Sequence, residues 1–268
     1  MFVFLLLFAF LNQASSFTPA PFPFPQITTG FSFPSFTLAS CSDGNLTCTG
    51  SVTSRNGYLS LTPEPQQGNP TLPLNQVGRV LYKYPLLAWP AMIYSKFTFR
   101  ILTSPYSIES ADGLTFIIAP DKSPSPSDSY GSYLGIMDPT KDGHADGQLA
   151  VEFDTYKNTN DLDANHIAIV TKSVLHPIEV RSLNYTGIDL KSGRDIKVLI
   201  VLDGRTKSIR VHVGYASDPI GETFLEVPID IPNTLPSFIY VGFTASTGLL
   251  TERHQILNWN LASFPIKK

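Results

Sequence analysis

Amphipathic helical repeats are missing from this chain. No stretch of useful length places apolar residues at helical spacing, and 22 prolines and 18 glycines are scattered through its 268 residues, which disfavours long helices. Charge is scarce as well. Charged side chains make up 15% of the sequence, the net charge is −3, and lysine and arginine form no block. Nucleic acid and an anionic membrane surface are therefore not expected as partners. Beyond the N-terminal residues no run reaches the ~18 apolar residues of a bilayer span, so the mature chain is expected to be soluble. There is no Ser/His/Asp spacing, no phosphate-cradling glycine loop and no Cys/His zinc pattern.

What is present is apolar and β-like. Hydrophobic residues reach 43%, enough for a sizeable core. From Phe31 onward short β-rich runs alternate with turn signals, among them Tyr58–Leu61, Ser95–Ile101, Leu114–Ile118, Leu149–Phe153, His166–Val170, Asp195–Leu202, Ser208–Tyr215, Phe238–Thr244 and Gln255–Leu261. KVLIVLDG and SIRVHVGY alternate with period two, the mark of strands with unlike faces. The length suits one large sandwich or two small domains. No repeat and no linker divides the chain, so a single all-β domain, a sandwich or jelly roll of antiparallel sheets, is predicted.

The first residues, MFVFLLLFAFL, are apolar but too short to cross a membrane, and Ala14-Ser15-Ser16 follows. This reads as a signal peptide over residues 1–16, cleaved before Phe17; a buried core segment is the alternative. Residues 17–27, FTPAPFPFPQI, read as an extended proline-rich arm. Two observations agree with export. Sequons stand at Asn45-Leu46-Thr47 and Asn184-Tyr185-Thr186, candidate N-glycosylation sites. The only two cysteines, Cys41 and Cys48, bracket a short turn-rich stretch and are expected to pair in an oxidising compartment.

The chemistry is concentrated in LAVEFDTYKNTNDLDANHIAIV. Alternation puts Glu152, Asp154 and Tyr156 on one strand face. Two carboxylates in an otherwise apolar strand are costly unless a positive group lies between them. The following loop adds Asn158, Asp161, Asp163 and Asn165, and His166 opens the next strand. Oxygen donors suit calcium, and carboxylates with an imidazole suit manganese or a similar ion. The bland alternative is a solvated acidic loop. Hydrolysis by carboxylates at period two is disfavoured, because Tyr156 stands where a third carboxylate would have to be.

VEFDTYKN followed by NHIAI resembles the signature of the legume (L-type) lectin family, shared by soluble seed lectins and the ectodomains of plant lectin receptor kinases. ADGLTF at 111–116, GSYLGIMD at 131–138 and VGFTASTG at 241–248 with HQILNW at 254–259 are similar to further family segments, in the family's order. The likeness runs over residues 28–264 and leaves 265–268 as a tail. It implies a concanavalin-A-like jelly roll and a secreted, non-enzymatic protein that binds glycans or glycoproteins, extracellular in apoplast or cell wall if the source is a plant. It further implies paired Ca2+ and Mn2+ (or another transition ion), and a possible homodimer through edge strands of the flat back sheet.

By the same resemblance, Glu152, Asp154, Asp161 and His166 would ligate the transition ion. Asp154 and Asp161 would bridge to calcium, with Asn158 and the Tyr156 carbonyl completing it. The loop is shortened, so Asp161 and Asp163 compete for the bridging role, with Asp161 preferred. Asp112, Gly131 or Ser132, and Asn158 would bond sugar hydroxyls, while Tyr156 or the loop of Gly248 and Leu249 would wall the sugar ring. The family likeness also implies a cis peptide at Ala111–Asp112. Ser132, Val170 and His176 depart from the family pattern. A lectin-like defence or structural protein that has lost sugar binding, taking a hydrophobic ligand or a protein instead, is the alternative. His144, His212 and His254 are expected to be ordinary surface or strand residues.

Overall fold

A computed structural model of the chain describes residues 29–103 and 109–266. The proposed leader and proline-rich arm, and the last two residues of the tail, lie outside the described residues.

Sixteen strands are formed among the described residues: β1 (Thr29–Phe33), β2 (Leu46–Gly50), β3 (Thr53–Arg55), β4 (Tyr58–Ser60), β5 (Val77–Tyr82), β6 (Leu86–Leu87), β7 (Ala91–Thr103), β8 (Gly113–Ala119), β9 (Leu149–Asp154), β10 (His166–Val170), β11 (Glu179–Ser182), β12 (Ile196–Asp203), β13 (Ser208–Tyr215), β14 (Leu225–Pro228), β15 (Phe238–Ser246) and β16 (Glu252–Pro265). They assemble into two antiparallel sheets. The first runs β14-β13-β12-β7-β16-β4-β3, with β1 also on β16; the second runs β11-β10-β9-β8-β15-β5-β2, with β6 on β15. The all-β jelly-roll sandwich expected from the sequence is the fold observed. Each strand run read from alternation falls within or beside an observed strand. Strands β1, β2, β3, β5, β6, β11 and β14 are not among those runs.

Period two decides which side chains fill the sandwich. Phe97 and Phe99 of β7, Phe116 of β8, Phe153 of β9, Phe243 of β15 and Trp259 of β16 meet between the sheets, all fully buried. Phe97 stands at the centre, with ring centroids of Phe99, Phe116, Phe153 and Phe243 at 4.8 to 6.2 Å. The Trp259 indole N–H, which needs a partner in so dry a place, donates to Ser95 Oγ at 3.0 Å. Cys41 and Cys48 are joined, tying a turn-rich segment to β2.

The second sheet is covered on its other face too. Leu81, Ile117, Ala119, Ala150 and Val170 point away from the sandwich core and pack under Leu134, Ile136, Met137 and Val174 from the overlying loops. This outer face is therefore dry where β8, β9 and β10 cross it, and the same face carries Glu152, Asp154 and His166. Val170, a departure from the family pattern, is one of the apolar residues under the loop layer.

Truncating the central ring tests the assignment of the core. Phe97→Ala should cost about 3–5 kcal/mol of unfolding free energy, read as a lower urea midpoint at unchanged slope. A loss under ~1 kcal/mol would show that Phe97 does not hold the sheets together.

Candidate metal and ligand site

The site is built where β9 ends and β10 begins. Antiparallel register places Asp154 directly opposite His166, and Glu152 opposite Ala168. Asp154, Glu152 and His166 are all buried, at 2–3% exposure. Carboxylate oxygens of Asp154 and Asp161 and a ring nitrogen of His166 lie within 4.8 Å of one another. Glu152 shares their face two residues back. Burial and the neighbouring Asp161 carboxylate raise its proton affinity, and burial, Glu152 and Asp161 do the same for Asp154. Dry, mutually repelling carboxylates of this kind are stable as anions only with a cation among them.

The loop turns the two aspartates in different directions. Asp161 Oδ2 accepts the Asn158 N–H at 2.7 Å and turns its carboxylate into the cluster. Asp163 is engaged elsewhere: its carboxylate accepts the Asn165 N–H at 2.9 Å and the Asn184 amide at 3.0 Å. Its carbonyl lies 2.7 Å from His166 Nδ1. That carbonyl can only accept, so Nδ1 carries the proton and Nε2 keeps its lone pair for the cluster. Asp163 thus orients the imidazole while Asp161 joins it.

A cleft of about 380 Å³ opens beside the cluster and gathers all seven residues expected around a sugar: Asp112, Gly131, Ser132, Tyr156, Asn158, Gly248 and Leu249, together with Asn75 and Tyr130. The Ala111–Asp112 peptide is cis. Asp112 is clamped from two sides, its N–H donating to the Ser246 carbonyl at 3.3 Å and its carbonyl accepting the Thr155 N–H at 3.0 Å. Gly113 has φ +137°, and a Cβ there would come within 2.3 Å of the Phe153 carbonyl, so only glycine lets β8 start this close to β9. Gly131 N–H donates to the Thr247 carbonyl at 3.3 Å, and Ser246 Oγ donates to the Gly131 carbonyl at 2.7 Å. Leu249 is 82% exposed at the rim.

Two acceptors in this cleft lack donors. Asp112 Oδ2 and Asn158 Oδ1 are buried without a hydrogen-bond partner. Burial, helped by the Glu252 charge and opposed by a Gly248 N–H, pushes the Asp112 carboxyl up to about 7. A polyhydroxylated ligand or a cation would supply what these oxygens lack.

Sequence reasoning overlooked the support beneath the cleft. Glu252 and His254, both wholly buried on β16, lie 2.9 Å apart, and Thr155 donates to the same Glu252 oxygen. Thr62 Oγ1 lies 3.0 Å from His254 Nδ1. His254 is thus a buried residue of strand β16 and part of a polar link from the first sheet to Thr155, the residue that follows β9. The sequons Asn45 and Asn184 are both exposed.

The profile of the legume lectin domain matches residues 28–268. A lectin of Glycine max is 32% identical over 221 residues, covering 79% of this chain and 72% of that protein. The probable L-type lectin-domain containing receptor kinase S.5 of Arabidopsis thaliana is 32% identical over 216 residues, covering 78% of this chain. The chain spans about a third, 32%, of that kinase's length. The solved structure of peanut lectin with a nine-residue peptide superposes with a TM-score of 0.75 at 30% identity, covering 90% of this chain and 99% of that one. Fold and likeness together define a non-enzymatic carbohydrate-binding domain. The chain belongs to the legume lectin family.

The buried carboxylates make a pH prediction for the chelator-treated protein. Asp112, Glu152 and Asp154 hold protons more tightly folded than unfolded, Glu152 up to about 8, so the native state binds more protons between about pH 4 and 8, and stability falls as pH rises through that window. Asp121 and Asp138, held low by hydrogen bonds from Ser123 and Thr140, shift the other way but are solvent-screened. Urea unfolding without metal should show greater stability at pH 5 than at pH 7.5, by on the order of 1–4 kcal/mol. Greater stability at pH 7.5 would contradict the buried acidic cluster.

Proposed function

We propose that this protein is a secreted lectin whose cleft binds glycans or glycoproteins through hydroxyl groups, held in shape by a calcium ion and a transition ion such as manganese. The observation that carries this reading is the pair of buried, donor-less acceptors, Asp112 Oδ2 and Asn158 Oδ1, facing one cleft beside the Asp154–Asp161–His166 cluster. Sugar hydroxyls are donors that such acceptors recognise, and a site built to bond a hydroxyl rejects ligands lacking it.

The donor set fits the metals. Glu152, Asp154, Asp161 and His166 Nε2 would hold the transition ion. Asp154, Asp161, Asn158 and the Tyr156 carbonyl would hold calcium. The ions supply positive charge that keeps the buried carboxylates ionised and the loop closed. The chain's own residues do the recognition. Asp112 and Asn158 accept from sugar hydroxyls, the backbone at Gly131 and Ser132 donates, and Tyr156 and Leu249 offer apolar surface to the ring. Clamping of the Asp112 backbone by Ser246 and Thr155 fixes these groups before the ligand arrives, which reduces the ordering cost of binding.

Export is proposed from the apolar N-terminus, and the Cys41–Cys48 disulfide and exposed sequons at Asn45 and Asn184 support it. An extracellular lectin domain, free or part of a receptor, is consistent with both kinds of relative.

A glycan array on the purified protein tests the reading. Binding in calcium and manganese should vanish after EDTA at mildly acidic pH, where ligands release metal, and return when both ions are restored. Asp112→Ala should weaken binding at least roughly tenfold with the circular-dichroism spectrum unchanged. Undiminished binding by metal-free protein would sink the metal role, and silence on the array would sink the sugar role.

A further inference from the structure

Arg79 occupies the middle of β5, between Thr49 of β2 and Thr244 of β15, on the outer face of the second sheet. It is 6% exposed, and its Nε is buried without a partner. Among the described residues its guanidinium makes no hydrogen bond and no ion pair. Asp121 acts on it through space without an ion-pair contact, and its Oδ1 accepts the Ser123 N–H at 2.7 Å. A buried guanidinium left open in this way is costly, because arginine remains charged and its planar fork needs acceptors.

The guanidinium lines a cavity of about 190 Å³, together with Thr49, Asn75, Ser125, Pro126 and Ser127. That is several times the ~30 Å³ a water molecule occupies in the liquid, so an oxyanion fits. Besides the guanidinium, the cavity offers donors that an anion can use. Thr49 and Ser125 already spend their hydroxyl protons on the Arg79 and Gly135 carbonyls, whereas the Asn75 amide and Ser127 hydroxyl are unengaged among the described residues. Asn75 lines both cavities, and its N–H bonds the Gly248 carbonyl at 3.0 Å.

We propose that the Arg79 cavity is an oxyanion subsite that takes a sulfate or carboxylate carried by the ligand of the adjoining cleft, so that the protein prefers acidic glycans. The preference for acidic glycans rests on the sugar-binding reading above; the oxyanion site itself does not. Arg79 holds the anion through its fork, Asn75 and Ser127 add donors, and Asn75 stands at the junction of the two cavities.

Two measurements on the mature protein separate the claims. In the first, inorganic sulfate is titrated at constant ionic strength while the Arg79 Nε–H resonance is followed by NMR, with Arg79→Met identifying the signal. Saturable movement is expected; none would overturn the oxyanion site. In the second, an array pairs neutral glycans with sulfated and uronate-bearing counterparts. Acidic members should bind roughly tenfold tighter, and the preferred member shows whether sulfate or carboxylate is taken. Arg79→Met should erase the preference while leaving neutral binding in place, and Ser127→Ala, an exposed change that keeps the fold, should reduce it. Equal binding of neutral and acidic members would overturn the subsite and leave the lectin reading standing. A saturable sulfate response with a silent array would support the oxyanion site and sink the sugar reading together with the acidic-glycan preference.

Discussion

Two buried carboxylates with a third, half-buried one beside them set the terms for this molecule. Glu152, Asp154 and Asp161 are crowded together at the end of β9, with His166 across from Asp154. Elsewhere the outer face of the same sheet is sealed by Ile136, Met137 and Val174, and Glu152 and Asp154 are buried with it. Repulsion there opposes the hydrophobic packing that closes the sandwich, and a positive ion among the oxygens would relieve it. The fold supplies a rigid frame and the cluster supplies a reason for the loops to stay in one arrangement.

The frame reaches the cleft through backbone rather than through side chains alone. Thr155, next to Asp154, donates its N–H to the Asp112 carbonyl and its hydroxyl to Glu252. Movement of the acidic strand end is therefore felt by the cleft and by the first sheet together. Glu252 also keeps one buried oxygen unpartnered and raises the proton affinity of Asp112. Cleft, cluster and the Glu252–His254 pair thus form one electrostatic unit across the top of the sandwich.

Period-two alternation made the strand half of this arrangement legible. Glu152 and Asp154 stand out because apolar neighbours on the other face, Val151 and Phe153, mark the strand. The loop half was less open to reading. Spacing alone does not show that Asp163 turns toward Asn165 and Asn184 while Asp161 turns inward, because loop direction depends on hydrogen bonds made after folding. His254 looked ordinary because its role depends on Thr62, 192 positions away in the chain. Arg79 carried no signal, since a lone arginine in a strand is usually a solvated residue. The edge strands β1 and β14 escaped because their partners, not their own patterns, define them.

Anomalous diffraction from crystals of the mature protein grown with calcium and manganese addresses the central claim most directly. The account predicts two peaks per chain: manganese among Glu152, Asp154, Asp161 and His166 Nε2, and a weaker calcium peak shared by Asp154, Asp161, Asn158 and the Tyr156 carbonyl. An ordered β9–β10 loop with neither peak, its carboxylates protonated or paired within the protein, would contradict it.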